Sequence, residues 1–545
     1  KQMRNINLRY VEEEYDEKGI LTKLNVKCPE NFNFGYDIVD DIAINDHDRR
    51  AMLWCHENGE ERTFTFGDIK KYSDKTANFL KSIGIGKGDA VIVILKHSYQ
   101  YWFTAVALHK LGAIMIPATF MLTKHDVEYR INAATVKAAI CVNDVADAFD
   151  SAENCPSLET KIIVGDKREG WYNFDECVEA ASDELERVPT KSTDIMLVYF
   201  SSGTTGYPKM VVHDFSYPLG HILTAKHWQN VDPDGLHFTI ADTGWAKTAW
   251  GKIYGQWIME SGIFVYEYEK FIPADILSLI SKHKISTLCC PPTMFRMFIN
   301  EGLEKFDLSS LKHTAIAGEA LNPDVFYNWY KATGLKLMEG FGQTETTPIV
   351  CNLRGTEPKP GSMGKPSPQY TVDIIDGEGK SCPPGETGEI VVKLYNPRPP
   401  GLMVCYYRDE AKTAEACEGG WHHTGDTAWR DEDGYIWYIG RNDDVIKSSG
   451  YRIGPFEIES VLVKHPAVLE CAITGVPDPV RGQIVKATVV LRKGFEPNDA
   501  LKKELQTFVK RETAPYKYPR AVEFVDELPK TISGKIRRVE IREGK

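Results

Sequence analysis

From residue 67 onward the sequence alternates two incompatible periodicities, and this restricts the fold more than any other feature. Ile69, Tyr72, Thr76, Phe79, Leu80 and Ile83 share one face of a 3.6-residue helix that Gly84 stops, and the unbroken apolar run AVIVIL follows at 90–95. The pattern then repeats. Residues 98–112 read as a helix, AIMIP at 113–117 as a strand, Thr123 with Asp126 three residues on as a helix cap, and KAAICV at 137–142 as another strand. A continuously apolar strand is buried on both faces, and helices between successive strands make them parallel. The expected class is therefore α/β with doubly wound sheets.

The pattern changes in two later places. Over 370–440 the runs YTVDIID, GEIVVKL and GYIWYIG alternate in period two between Gly/Asp/Pro turns, which predicts a small antiparallel β subdomain. Beyond it, EIESVLVKHP, LECAITGV, IVKATVVL, ALKKELQTFVKR and AVEFVDEL alternate helix and strand, as in an independent α+β domain. The expected division is a large N-terminal domain over 1–440, a joint at 441–444 and a small C-terminal domain over 445–545.

Composition excludes several classes. A chain of 545 residues, 42% hydrophobic and 26% charged, is too apolar for disorder and long enough for several domains. With 65 basic against 77 acidic residues the net charge is −12, which offers no surface for nucleic acid. The 12 cysteines show no C-x-x-C spacing, so neither a zinc site nor a disulfide framework is expected, and a reducing, cytoplasmic compartment fits. The most apolar stretch, 101–122, contains His109, Lys110 and Pro117 and reads as core, not as a membrane span. The sequence begins at Lys1, which leaves room for a removed leader.

Four segments carry chemistry. YFSSGTTGYPKMVVHD at 199–214 combines glycines, hydroxyls and a lysine, as a phosphate cradle does, but lacks the P-loop spacing and reads equally as a surface turn. In MEGFGQTETTP at 338–348, Glu345 is a hard oxygen ligand suited to magnesium and Thr344 a donor to phosphate; alternatively the pair merely caps a helix. Asp426 in TGD can accept from a ribose diol, with Arg441 beside it, although both also suit a turn. Lys535 follows glycine in LPKTISGKIRR at 528–538, where most lysines are simply solvated.

Taken in order, SSGTTGYPK, AGEALNP, GFGQTET, TGD, GRNDDVIKSSGYRIGPFEIE and PKTISGKIRR resemble the core motifs of the adenylate-forming superfamily. Within it the chain is most similar to AMP-forming acyl-CoA synthetases of the acetate-to-medium-chain branch, over about residues 60–540. The resemblance implies ATP and CoA as substrates, Mg2+ as cofactor and a carboxylic acid of short-to-medium or branched chain. The acid attacks the α-phosphate of ATP, releasing pyrophosphate, and the CoA thiol then attacks the acyl-adenylate, releasing AMP.

The resemblance also assigns roles residue by residue. Ser201, Ser202, Gly203, Thr204, Thr205, Gly206 and Lys209 would hold the β- and γ-phosphates; Gly318, Glu319 and Ala320 would flank the adenine; Thr344 would touch the α-phosphate and Glu345 the metal. Asp426 and Arg441 would bind ribose, Lys535 would be the catalytic lysine and Asp443 the hinge of a mobile C-terminal domain. Ser449, Gly450 and Arg452 would line the CoA path. Trp245, Ala246, Lys247, Trp250, Gly340, Phe341 and Gly342 would form the acyl pocket.

Two departures stand out. Gly342 occupies the position where acetyl-specific members carry a tryptophan, so open volume and a larger acid are expected there. Lys247 stands where a small or apolar residue is usual, and the cost of an unpaired buried ammonium favours its pointing outward over facing the acid. Rival readings are a peptide-synthetase adenylation module, which places an aspartate in the acyl segment, a luciferase-like oxygenase, a stand-alone adenylating enzyme with another acceptor, and a non-catalytic nucleotide-binding relative. The last is disfavoured because Lys535, Glu345 and the glycines are all present.

Overall fold

The computed structural model describes residues 5–150, 152–201, 207–319, 321–532 and 534–544. The apolar runs expected as strands pair in parallel: Ala90–Ile94 lies between Ile114–Pro117 and Ala138–Val142 in an eight-stranded sheet. The hairpin Ile195–Ser201 and Lys209–Asp214 extends this sheet, and Cys405–Tyr406 closes its edge. Helix Lys124–Ala134 opens with the capping box foreseen at Thr123 and Asp126.

A second sheet of nine strands was not apparent from local pattern. Its parallel core comprises Leu337–Phe341, His313–Ile316, Thr287–Cys289, Leu236–Thr239, Gly262–Glu267 and Arg50–His56. Arg50–His56 pairs in register with Gly262–Glu267, Met52 opposite Ile263, far away along the chain. Helix Gln100–Leu111 is buried along its whole length, which accounts for its nearly continuous hydrophobicity.

The antiparallel subdomain is a four-stranded sheet in the order Val372–Ile375, Thr387–Lys393, Trp421–Arg430, Ile436–Arg441. Its third strand was missed because histidines, threonines, Gly425 and Asp426 interrupt the alternation. The C-terminal part has a five-stranded sheet and its own core around Ile446, Ile458, Leu462, Ile473 and Val489. No helix among the described residues is long and apolar enough to cross a membrane.

Lys110, at the end of the buried helix, is wholly inaccessible. Its ammonium lies 2.7 Å from both Asp40 Oδ1 and Asp74 Oδ1 and 2.9 Å from Ser73 Oγ. The triad ties the segment before residue 41 to helices Phe66–Ser82 and Gln100–Leu111. Removing one partner of such a cluster leaves the rest uncompensated, so Lys110→Met is expected to cost about 3–5 kcal/mol of stability. Urea unfolding measures this, and an unchanged midpoint would show that the carboxylates find other compensation.

Candidate active site

The strand Leu337–Phe341 ends in a turn in which the Thr346 amide donates to the Gln343 carbonyl at 3.0 Å and the Gln343 amide to Thr346 Oγ1 at 2.9 Å. This turn presents Thr344 and Glu345 beside the hairpin that carries Ser201 and Lys209, which face each other across the ladder. His213, on that hairpin, donates from Nε2 to the Thr344 carbonyl at 2.7 Å. Burial lowers its pKa to about 3, so the ring is neutral with its proton on Nε2. Ser202, Gly203, Thr204, Thr205, Gly206 and Ala320 lie outside the described residues.

Glu345 is buried, and Tyr406 donates its hydroxyl to Oε2 at 3.2 Å. Lys209 Nζ stands 3.4 Å from the Tyr406 oxygen and 4.9 Å from the centre of its ring. A buried hard carboxylate beside a lysine-bearing loop fits a magnesium–phosphate group, because that cation takes one or two carboxylates with substrate oxygens.

Asp426 and Arg441 are direct partners across neighbouring strands. Asp426 is almost inaccessible; its Oδ1 accepts from Tyr438 Oη at 2.7 Å, and its Oδ2 from Gln343 Nε2 at 2.6 Å and Arg441 Nη1 at 3.1 Å. Burial pushes this carboxyl above its ordinary pKa, against the pull of Arg441, Tyr438 and Gln343. A carboxylate has about four acceptor positions, so three resident donors leave room for one ribose hydroxyl; a second must displace a donor.

An apolar pocket of about 280 Å³, its mouth included, is lined by Trp228, Ile240, Lys247, Trp250, Cys289, Cys290 and Ala317, among others. Lys247 therefore points inward, contrary to expectation. It lies beside Gly318, where a Cβ would come within 2.0 Å of Nζ. Burial, and then repulsion from Lys535, lower its pKa below the ordinary lysine value, while Glu319 opposes the shift. The nearby Glu319 carboxylate offsets part of the cost of this orientation. Glu319 itself accepts from Thr293 Oγ1 at 2.6 Å.

The open volume expected over Gly342 is also corrected. A Cβ at Gly342 would meet Trp250 Cη2 at 2.5 Å and the Thr347 carbonyl at 2.5 Å, so Gly342 seats the indole of Trp250. Gly340 does the same for Trp228, whose Cε2 would lie 2.4 Å away. Trp250 sits in the short helix Lys247–Gly251, its amide bonded to the Ala246 carbonyl, and does border the pocket. Trp245 and Ala246 are half-buried outside that lining, and Phe341 packs on Tyr438. Asp242 accepts from the Gly244 amide in a turn and does not line the pocket, unlike the aspartate of the peptide-synthetase reading.

After Arg441, Asp443 lies exposed in a turn. The strands Ile446–Ser448 and Tyr451–Ile453 are joined by Ser449 and Gly450, both at positive φ (51° and 84°), the signature of a type I′ turn. A Cβ on Gly450 would meet nothing within 4 Å, so backbone conformation, not crowding, explains the glycine in this arrangement. Arg452 is exposed on the second strand. Lys535 closes a turn in which its carbonyl accepts from the Thr531 amide at 2.7 Å and its amide donates to Thr531 Oγ1 at 3.2 Å. Ile532 of that turn packs on the same apolar cluster as Phe200, Met210, Cys405 and Tyr407, and Lys535 lies near enough to Lys247 to lower its pKa.

Sequence reasoning missed Gln343, Tyr438, Tyr406, His213 and Trp228. Only Gln343 and His213 lay inside chemistry-bearing segments. Far from this cleft, Cys55, Glu61 and His283 stand at metal-ligand spacing. Lys282 already neutralises Glu61 at 2.8 Å, and burial pushes the Cys55 thiol up to about 12. The 12 cysteines are free thiols.

Gly425 has φ of 72°, and a Cβ there would lie 2.4 Å from Arg441 Nη2. If Arg441 serves the nucleotide as the resemblance implies, Gly425→Ala should displace the guanidinium and weaken ATP binding about tenfold, the equivalent of one charge-assisted hydrogen bond. Calorimetric titration with ATP measures it; unaltered affinity would remove Arg441 from the nucleotide site.

The AMP-binding enzyme family matches residues 40–407, and the AMP-binding enzyme C-terminal domain matches residues 457–535. Acyl-coenzyme A synthetase ACSM5, mitochondrial, of Homo sapiens is 44% identical over 525 residues, covering 94% of this chain and 90% of the relative. Acyl-coenzyme A synthetase ACSM3, mitochondrial, of Mus musculus is 42% identical over 528 residues, covering 95% and 91%. Among solved structures, the anthranilate CoA ligase AuaEII with anthranoyl-AMP superposes with a TM-score of 0.85 at 29% identity, over 95% of this chain and 98% of that one. The Brucella canis acyl-CoA synthetase superposes with a TM-score of 0.72 at 33% identity, over 94% of each. The buried carboxylates, the lysine-bearing hairpin and these likenesses agree: the chain belongs to the AMP-binding enzyme family, as an AMP-forming acyl-CoA synthetase.

Proposed function

We propose that this enzyme activates short-to-medium or branched carboxylic acids, and that Lys247 draws the acid's carboxylate towards the α-phosphate. One observation carries this reading: a concave pocket, apolar apart from a few groups, has an ammonium in its lining. Lys247 and Lys535 repel each other across the cleft, so an incoming carboxylate and phosphate relieve a charge conflict present in the free enzyme.

The residues then divide the work. Ser201, Lys209 and the loop between them hold the terminal phosphates; Thr344 donates to the α-phosphate; Asp426 takes the ribose, with Arg441 beside it; Gly318 and Glu319 flank the base. Magnesium, when bound at Glu345, neutralises charge on the phosphate oxygens. Lys535 stabilises the charge that develops as the acid oxygen attacks phosphorus and pyrophosphate leaves. Rotation about 441–444, with Asp443 as pivot, then withdraws Lys535 and brings Ser449, Gly450 and Arg452 to the cleft, where the CoA thiol attacks the acyl carbonyl and AMP departs. The free thiols suit a reducing compartment, cytoplasmic or that of the mitochondrial relatives.

If Lys535 serves only the first half-reaction, Lys535→Ala should lose acyl-adenylate formation by several orders of magnitude yet convert supplied acyl-adenylate and CoA to thioester. Equal damage to both half-reactions would reject this division.

Chain length tests the pocket. Trp250→Ala opens its wall and should shift preference to longer acids by about fourfold per methylene accommodated. Gly342→Ala, which pushes the Trp250 indole inward, should shift it to shorter ones. Specificity constants across an acid series, read beside melting temperatures, decide the matter; an unchanged ranking in both variants would show that Trp250 is only a core aromatic.

A further inference from the structure

At the edge of the phosphate hairpin, Lys209, Tyr406 and Glu345 form a single chain of polar contacts whose middle member belongs to none of the chemistry-bearing motifs. The Tyr406 oxygen lies 3.4 Å from Lys209 Nζ and 3.2 Å from Glu345 Oε2. A protonated lysine can only donate and a carboxylate can only accept. The phenol must therefore turn a lone pair to Lys209 and its single proton to Glu345. The ring contributes separately, because Lys209 Nζ lies 4.9 Å from its centroid, within cation–π range.

The backbone fixes both ends of the contact to Glu345. Tyr406 is paired opposite Val211 on the phosphate hairpin, and its amide donates to Thr413 Oγ1 at 3.0 Å. Three residues earlier, the Met403 amide donates to the Glu345 carbonyl at 2.8 Å. The segment 403–406 therefore grips Glu345 by main chain and side chain together. A buried tyrosine serving only as core filler would need one partner for its hydroxyl; this one joins the cation and the anion of the phosphate site.

We propose that Tyr406 is a positioning residue: its hydroxyl orients the Glu345 carboxylate for the divalent cation that accompanies ATP, while its ring carries Lys209 towards the phosphates. The inference rests on the reading of Glu345 as the metal ligand.

The two parts of the side chain can be separated by measuring ATP binding to the full-length enzyme calorimetrically, with and without Mg2+, beside the melting temperature of each free variant. Tyr406→Phe keeps the ring, so metal-free ATP should bind as before, while the tightening that Mg2+ confers should fall about tenfold or more, as when a metal ligand loses its supporting hydrogen bond. Tyr406→Leu should weaken metal-free ATP binding as well. Glu345→Gln should abolish the Mg2+ effect. If Glu345→Gln loses that effect and Tyr406→Phe retains it, the positioning role is overturned and Glu345 stands. If Glu345→Gln retains it, both assignments fall. A Tyr406→Phe variant that melts like the parent yet loses the Mg2+ effect supports the proposal, because a purely structural hydroxyl would not act through the metal alone.

Discussion

The arrangement of the cleft depends on one buried carboxylate. Asp426 is nearly inaccessible and accepts from Gln343 and from Tyr438 and Arg441, the last two on the neighbouring strand Ile436–Arg441. A charge so placed is tolerable only while those donors remain. The turn bearing Thr344 and Glu345, the antiparallel subdomain and the strand leading to the hinge are therefore locked to a common point. Gln343 is the key intermediary: it binds Asp426 and the Thr424 carbonyl through its side chain while its backbone forms the turn that presents Glu345. The turn bearing Glu345 and the strand ending at Arg441 thus share a mechanical reference.

The fold was legible wherever local pattern and burial agree. AVIVI at 90–94 could only be a strand buried on both sides, and Thr123 with Asp126 could hardly cap anything but a helix. The second sheet was hidden because its pairings, such as Arg50–His56 with Gly262–Glu267, are long-range and leave no local trace. Strand Trp421–Arg430 was hidden for the opposite reason: its site residues displace the alternation that would have announced it.

The site was legible where chemistry needs unusual residues in fixed order, as at Lys209, Glu345, Asp426 and Lys535. Tyr406, Tyr438, Trp228 and His213 are ordinary aromatic residues in ordinary strands and helices, and only tertiary placement gives them a role. Lys247 shows the limit of reasoning from burial cost. The penalty on an unpaired ammonium argued for an outward side chain, yet Lys247 faces inward and bears that penalty, its pKa lowered by burial with Glu319 only opposing the shift. Gly342 shows the converse, since a missing side chain signalled space that a neighbouring tryptophan already fills.

Ile532 packs on the same apolar cluster as Phe200 and Met210, side chains of the hairpin Ile195–Ser201 and Lys209–Asp214. The turn that carries Lys535 thus shares its apolar seat with that hairpin. A shift of the hairpin strands would alter the contact under Ile532, and lifting Ile532 would in turn uncover part of the cluster. Strand position and placement of the lysine turn are then joined through one small hydrophobic contact, as a door is joined to its frame by a latch.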